Sequence, residues 1–244
     1  MTDELLAALV GLVGCAAGGA LVPHAVRRLP EPPPDPEPEE GVELTPAQRQ
    51  RLEEPPKEPY ADLGRRPRLA AGCALVSGVA GAGLGLALGW VWLLCVVLPL
   101  VPVGTLLGYV DWRTRLLPSV VVLPATALAL GYGLARWAAT GDSDELVRGV
   151  VSLVVVRTIF WVLWFVRQAG MGFGDVRLSA LLGLVLGYAG GTAVLVGLYA
   201  AFLLFAVPGV VWAAVKRDRS ILRRAYPFGP FLLAGAWVGL VVAG

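Results

Sequence analysis

Asp111 and Asp175 are acids set against apolar stretches that otherwise exclude negative charge. Asp111 closes a hydrophobic run in Gly108-Tyr109-Val110-Asp111-Trp112-Arg113-Thr114-Arg115, and Asp175 opens another in Gly170-Met171-Gly172-Phe173-Gly174-Asp175-Val176-Arg177. An ionisable group at membrane depth is costly and marks a functional site by default. Two neighbouring carboxylates suit acid/base chemistry on a peptide bond: they share one proton, the ionised member draws a proton from water, and the protonated member polarises the carbonyl oxygen. Each acid also has a structural reading, Asp175 as an N-cap before Val176 and Asp111 as an interfacial acid balancing Arg113 and Arg115. What favours chemistry is the combination, since each is followed two residues later by an arginine and both fall on one membrane face by the charge pattern of the loops.

The elements that must hold these acids are membrane helices. Of 244 residues 57% are hydrophobic and 16% charged, which excludes a single soluble core. A spanning helix needs roughly 20 mostly apolar residues, and such a window fits about eight times. Helices are the only economical reading, because lipid cannot satisfy exposed backbone. The expected fold is therefore all-α, a polytopic membrane helix bundle. Its spans are Leu5–Val26, Leu69–Gly89, Trp90–Val110, Pro118–Trp137, Glu145–Val166, Val176–Ala189, Thr192–Val215 and Phe228–Val242.

Arginines crowd into alternate loops, at Arg27, Arg28, Arg49, Arg51, Arg65, Arg66 and Arg68, then Arg113 and Arg115, Arg167, and Lys216 to Arg224. These loops are expected in the cytoplasm. The acidic loop Gly141–Glu145 and the N-terminus with Asp3 and Glu4 are expected outside, which places Asp111 and Asp175 at the cytoplasmic ends of the third and sixth spans. Leu12-Val13-Gly14-Cys15 has the look of a lipoprotein cleavage box. The flanks are reversed for a signal peptide, acids first and arginines last, so a retained anchor is expected. Three units result: 1–26 a first anchor, 27–68 a cytoplasmic tether, and 69–244 a seven-helix core.

The tether is rich in Pro and Glu from Pro30 to Glu40, a composition that builds no core. It holds one short helix start at Thr45-Pro46. Gly78, Gly81, Gly85 and Gly89 carry the small-residue spacing that brings membrane helices together. Around Asp175, Gly172 and Gly174 permit positive backbone dihedrals and close approach of another chain segment. Cys15, Cys73 and Cys95 have no paired spacing and read as small apolar residues. His24 reads as interfacial. Arg157, inside the fifth span, either snorkels or pairs with a polar group. Trp90, Trp92, Trp161 and Trp164 read as belt or packing residues.

Gly170 to Leu178 resembles the GxGD motif of the bacterial type IV prepilin peptidases. Asp111-Trp112-Arg113-Thr114-Arg115-Leu116-Leu117-Pro118 resembles their first aspartate motif, and Tyr226-Pro227-Phe228-Gly229-Pro230-Phe231 is similar to the sequence opening their last helix. Ser119 stands where asparagine is common. The resemblance runs from about Leu93 to the C-terminus and implies an inner-membrane aspartic protease. Such an enzyme removes the basic leader of prepilins or pseudopilins on the cytoplasmic side, with Asp111 and Asp175 as the catalytic dyad and Gly172 and Gly174 as supporting backbone. Many members also methylate the new N-terminus and carry a cysteine-rich zinc region after the first span. Here the Pro/Glu-rich tether fills that place without a cysteine, so no zinc, other cofactor or methyl transfer is expected. The partners expected are the lipid bilayer and pilin-type substrates, not nucleic acid. Two other readings are a different GxGD intramembrane protease and a non-enzymatic transporter coupled to protons or cations.

Overall fold

A computed structural model of the chain describes residues 2–31, 58–166, 172–217 and 226–244. Most of the tether, including the short helix expected from Thr45, lies outside the described residues. Those described form helices joined by short turns, with no strand among them. The elements are α1 (Asp3–Ala20), α2 (Val22–Arg27), α3 (Tyr60–Leu63), α4 (Leu69–Leu88), α5 (Leu94–Thr114), α6 (Ser119–Thr140), α7 (Asp144–Val166), α8 (Phe173–Ala189), α9 (Gly191–Lys216) and α10 (Gly229–Ala243).

Six segments are long and apolar enough to cross a membrane: α1 with α2, then α4, α5, α6, α7 and α9. The other two of the eight expected spans, α8 and α10, are 17 and 15 residues long, or about 25 and 22 Å against a hydrocarbon layer of about 30 Å. Shortness suits their place, since α8 is enclosed by α6, α7, α9 and α10 and buried along most of its length from Asp175 to Tyr188. By contrast α9, rich in valine and leucine, leaves Leu195, Tyr199, Leu203 and Val207 exposed, as a lipid-facing helix does.

Close approach is achieved by small residues. A Cβ at Gly81 would lie 2.5 Å from Cys15 Sγ and one at Gly85 only 2.4 Å from the Ala7 carbonyl oxygen. That contact locks α1 against α4, the realised form of the small-residue spacing. The first span is interrupted at Leu21, just before α2, whose second residue is Pro23. Proline has no N–H to continue the ladder, so the chain restarts there.

Helix ends depart from the apolar runs at both acids. The third span, α5, continues to Thr114, so Asp111 is within its last turn and not beyond its end. The sixth starts at Phe173, which makes Asp175 its third residue; Gly172 takes the N-cap position that the structural reading of Asp175 required. Hydropathy marks where lipid ends, whereas a helix stops where its hydrogen bonds do, and polar residues such as Trp112-Arg113-Thr114 extend one past the other.

Candidate active site

Asp111 and Asp175 come from opposite ends of their own helices and reach the same end of the bundle. They are 4% and 6% exposed respectively, and their carboxyl groups lie near enough to interact electrostatically. Two buried acids that interact are costly, and they persist only where the surrounding elements hold them together.

Three features fix Asp111. The turn after α5 is closed by the Arg115 N–H bonding the Asp111 carbonyl at 2.8 Å, with Arg115 in the left-handed region at φ 56°. Thr114, itself buried, donates its hydroxyl to the Val110 carbonyl at 2.8 Å and accepts the Leu116 N–H at 3.3 Å. The Gly229 N–H, at the free-donor end of α10, bonds Asp111 Oδ2 at 2.9 Å. A helix N-terminus is a natural partner for a carboxylate because its first N–H groups lack intrahelical acceptors. A Cβ at Gly229 would lie 2.7 Å from Asp111 Oδ2, so no other residue fits there without displacing the acid.

Asp175 is fixed through the turn between α5 and α6. Arg177 donates to Ser119 Oγ and its guanidinium lies 5.0 Å from the Phe173 ring centroid. A Cβ at Gly174 would stand 2.8 Å from Leu117 Cβ, so its glycine allows the close approach. Gly172 has φ −73° and ψ 145°, ordinary extended backbone, so a positive dihedral is not what this position uses. The Asp175 N–H bonds the Gly172 carbonyl at 3.1 Å. Asp175 Oδ1 is buried without a hydrogen-bond partner among the described residues. Buried polar atoms are nearly always paired, and exceptions concentrate where chemistry needs an open acceptor.

The basic end around the dyad is held by an ionic clasp. Glu58 bonds Arg66 Nη2 at 2.7 Å and Arg113 Nη2 at 3.1 Å, and Tyr109 donates its hydroxyl to the Leu63 carbonyl at 3.1 Å. Partial desolvation pushes the Glu58 carboxyl up, but Arg113 and then Arg66 outweigh it and leave it below the usual carboxylate range. The last residues of the tether are thus docked on the turn that bears Asp111.

Gly229 and Glu58 are the contributors that residue patterns alone did not single out. A signal for Gly229 exists in retrospect: a Pro-Phe-Gly-Pro run opening an apolar helix offers a free N–H where no side chain intervenes. His24 and Arg157 are exposed and take no part. Cys15, Cys73 and Cys95 stand on three helices, and among the described residues no group of three or more His, Cys, Asp or Glu could hold a metal ion.

Residues 98–214 match the model of the type IV leader peptidase family. A prepilin leader peptidase/N-methyltransferase of Pseudomonas putida is 31% identical over 72% of this chain and 58% of its own length. Proteins of the same name from Burkholderia pseudomallei and Escherichia coli K12 are 32% and 29% identical, over 68% and 55% of this chain and 49% and 57% of theirs. The chain thus spans about half the length of the curated relatives it matches. No solved structure matches it.

Proposed function

We propose, from the match of residues 98–214 to the type IV leader peptidase family, that the chain is a membrane aspartic endopeptidase. It removes the basic leader of type IV prepilins or pseudopilins. The observation supporting this reading is that Asp111 and Asp175, two buried acids from distant segments, share one end of the bundle, with Asp175 Oδ1 unpaired among the described residues.

The mechanism follows from proximity. Two adjoining carboxylates in a poorly hydrated site retain one proton between them, because a second negative charge is strongly disfavoured. The ionised member takes a proton from the water that attacks the scissile carbonyl carbon. The protonated member donates to the carbonyl oxygen as it becomes tetrahedral. Collapse of that intermediate passes a proton to the leaving nitrogen, separates the leader from the mature chain and restores the shared proton. The Gly229 N–H holds Asp111 in register throughout without itself giving up a proton.

The dyad faces the cytoplasm of the inner membrane with the N-terminus outside. Support comes from the concentration of Arg27, Arg28, Arg65, Arg66, Arg68, Arg113 and Arg115 at the dyad end, and of Asp3, Glu4, Asp142 and Asp144 at the other. Residues 1–26 serve as anchor, 27–68 as tether and 69–244 as the peptidase core. A substrate with a basic leader before an apolar helix lies with its charge in the cytoplasm and its cleavage junction at the depth of the dyad. Against a transporter stands the short list of buried polar side chains among the described residues, Ser77, Asp111, Thr114, Asp175 and Ser179, which forms no path through the bundle.

Purified chain incubated with a prepilin tests the reading by mass spectrometry. The expected product is the mature segment with a free, unmethylated N-terminus, equally in the presence of a chelator. An intact prepilin overturns the peptidase assignment.

A further inference from the structure

An apolar cavity of about 860 Å³ lies between α4, α5, α8 and α10. Its lining is almost wholly carbon and includes buried Leu84, Val97, Leu107 and Leu181 and exposed Val76 and Leu204. At one end it reaches Trp112 and Pro230, the immediate neighbours of Asp111 and Gly229. Arg66 and Arg68 stand at that same mouth.

Helical periodicity ties this groove to the dyad. Residues three, four and seven apart share a helix face. Asp111 therefore lies on the α5 face of Gly104, Leu107 and Gly108, all of which line the groove. Asp175 shares its α8 face with Leu182 and Leu186, seven and eleven residues on. Gly229 shares its α10 face with Leu233, Ala236 and Trp237. Three walls thus carry the two acids and the Asp111 donor at the same end of one trough.

We infer that this groove receives the apolar segment that follows the scissile bond of the substrate, so that this segment lies against α4, α5 and α10 and not in bulk lipid while the junction is presented to the dyad. The inference rests on the peptidase reading and adds the place where specificity for a hydrophobic helix is exerted. One wall matches in length: from Val97 to Trp112 α5 runs about 22 Å, alongside which roughly four turns of helix can lie, partly within the cavity. The carbon lining excludes a charged or polar occupant, because buried polar groups need partners that this surface lacks. Only the continuity with the dyad distinguishes a substrate helix from an acyl chain of lipid, and that is what the test addresses.

Gly72 provides the probe. It lines the groove, and a Cβ there meets nothing within 4 Å, so a large side chain enters the trough without striking a packed neighbour. Gly131, on α6 and outside the groove, also meets nothing within 4 Å and serves as the control. Two peptides are compared: one with a basic leader, a glycine and a full apolar helix, the other ending about six residues beyond the scissile bond, too short to fill a trough of this length. Relative to Gly131→Trp, Gly72→Trp is expected to lower the ratio of kcat/KM for the long over the short peptide by about ten-fold, chiefly through KM, with Gly72→Leu intermediate. A photoreactive phenylalanine analogue at position 72, in the Asp175→Asn background, is expected to capture the apolar half of the long peptide. Equal effects on the two peptides, no effect on either, or capture of lipid alone overturns the inference. If the unmodified chain cuts neither peptide, the peptidase reading itself falls, so the two failures are told apart.

Discussion

At the end of the bundle away from the dyad, Arg136 on α6 and Glu145 on α7 satisfy one another. Arg136 donates through Nη2 to Glu145 Oε1 at 3.0 Å and through Nε to Oε2, and its guanidinium lies 5.7 Å from the Trp92 ring centroid. Opposite charges, a two-pronged geometry and an aromatic cover make a closed unit that fastens two helices. The dyad end is built the other way. Two acids are buried at that end, Asp111 receives one N–H from Gly229 and Asp175 keeps an oxygen unpaired among the described residues. A satisfied pair lowers the energy of the folded state; a pair of acids left partly unsatisfied retains the capacity to exchange a proton.

Substitutions at the two ends should therefore separate activity from stability. Asp111→Asn and Asp175→Asn each remove the shared proton, and leader cleavage is expected to fall by about 1,000-fold or more, with helix content and membrane insertion unchanged; residual cleavage near the unaltered rate would contradict the dyad. Gly229→Val drives a side chain into Asp111 Oδ2, and a loss of about 100-fold in kcat is expected from the displaced carboxylate, measured on the same peptide. Arg136→Ala should leave kcat as it was and cost about 1 kcal/mol, seen as a fall of about 2–4 °C in the thermal midpoint. Glu58→Gln should have the smallest effect, a change of about two-fold that disappears when salt screens the clasp in the unaltered chain as well.

Glu58 also has a pH signature. Its folded-state affinity for a proton is lowered by Arg113 and Arg66, so the clasp is fully present above the ordinary glutamate value near about 4.3. Its contribution is lost only as pH falls through the depressed folded-state value. Neutral and mildly acidic buffers should give the same stability difference between Glu58→Gln and the unaltered chain, and strongly acidic buffer should erase it.

The helices were legible because apolar runs and arginine-rich loops have physical causes that act locally. Asp111 and Asp175 were visible for the same reason, as acids where lipid penalises acids. Gly229 was not, since its value lies in a hydrogen bond to a residue 118 positions away. Nor did hydropathy reveal that α8 is nearly enclosed while α9 faces outward, because a leucine against lipid and one against leucine read alike in sequence. The helix ends at Thr114 and Phe173 were missed by a few residues, enough to change Asp175 from a cap to a residue of the first turn. The trough beside the dyad depends on which faces converge, and that is a property of the assembled bundle.

The enclosure of α8 has a mechanical result. A helix ringed by others is shielded from the thickness and fluidity of the surrounding bilayer, whose stresses fall first on α7 and α9. The height at which Asp175 stands is consequently set by protein against protein instead of by the lipid surface.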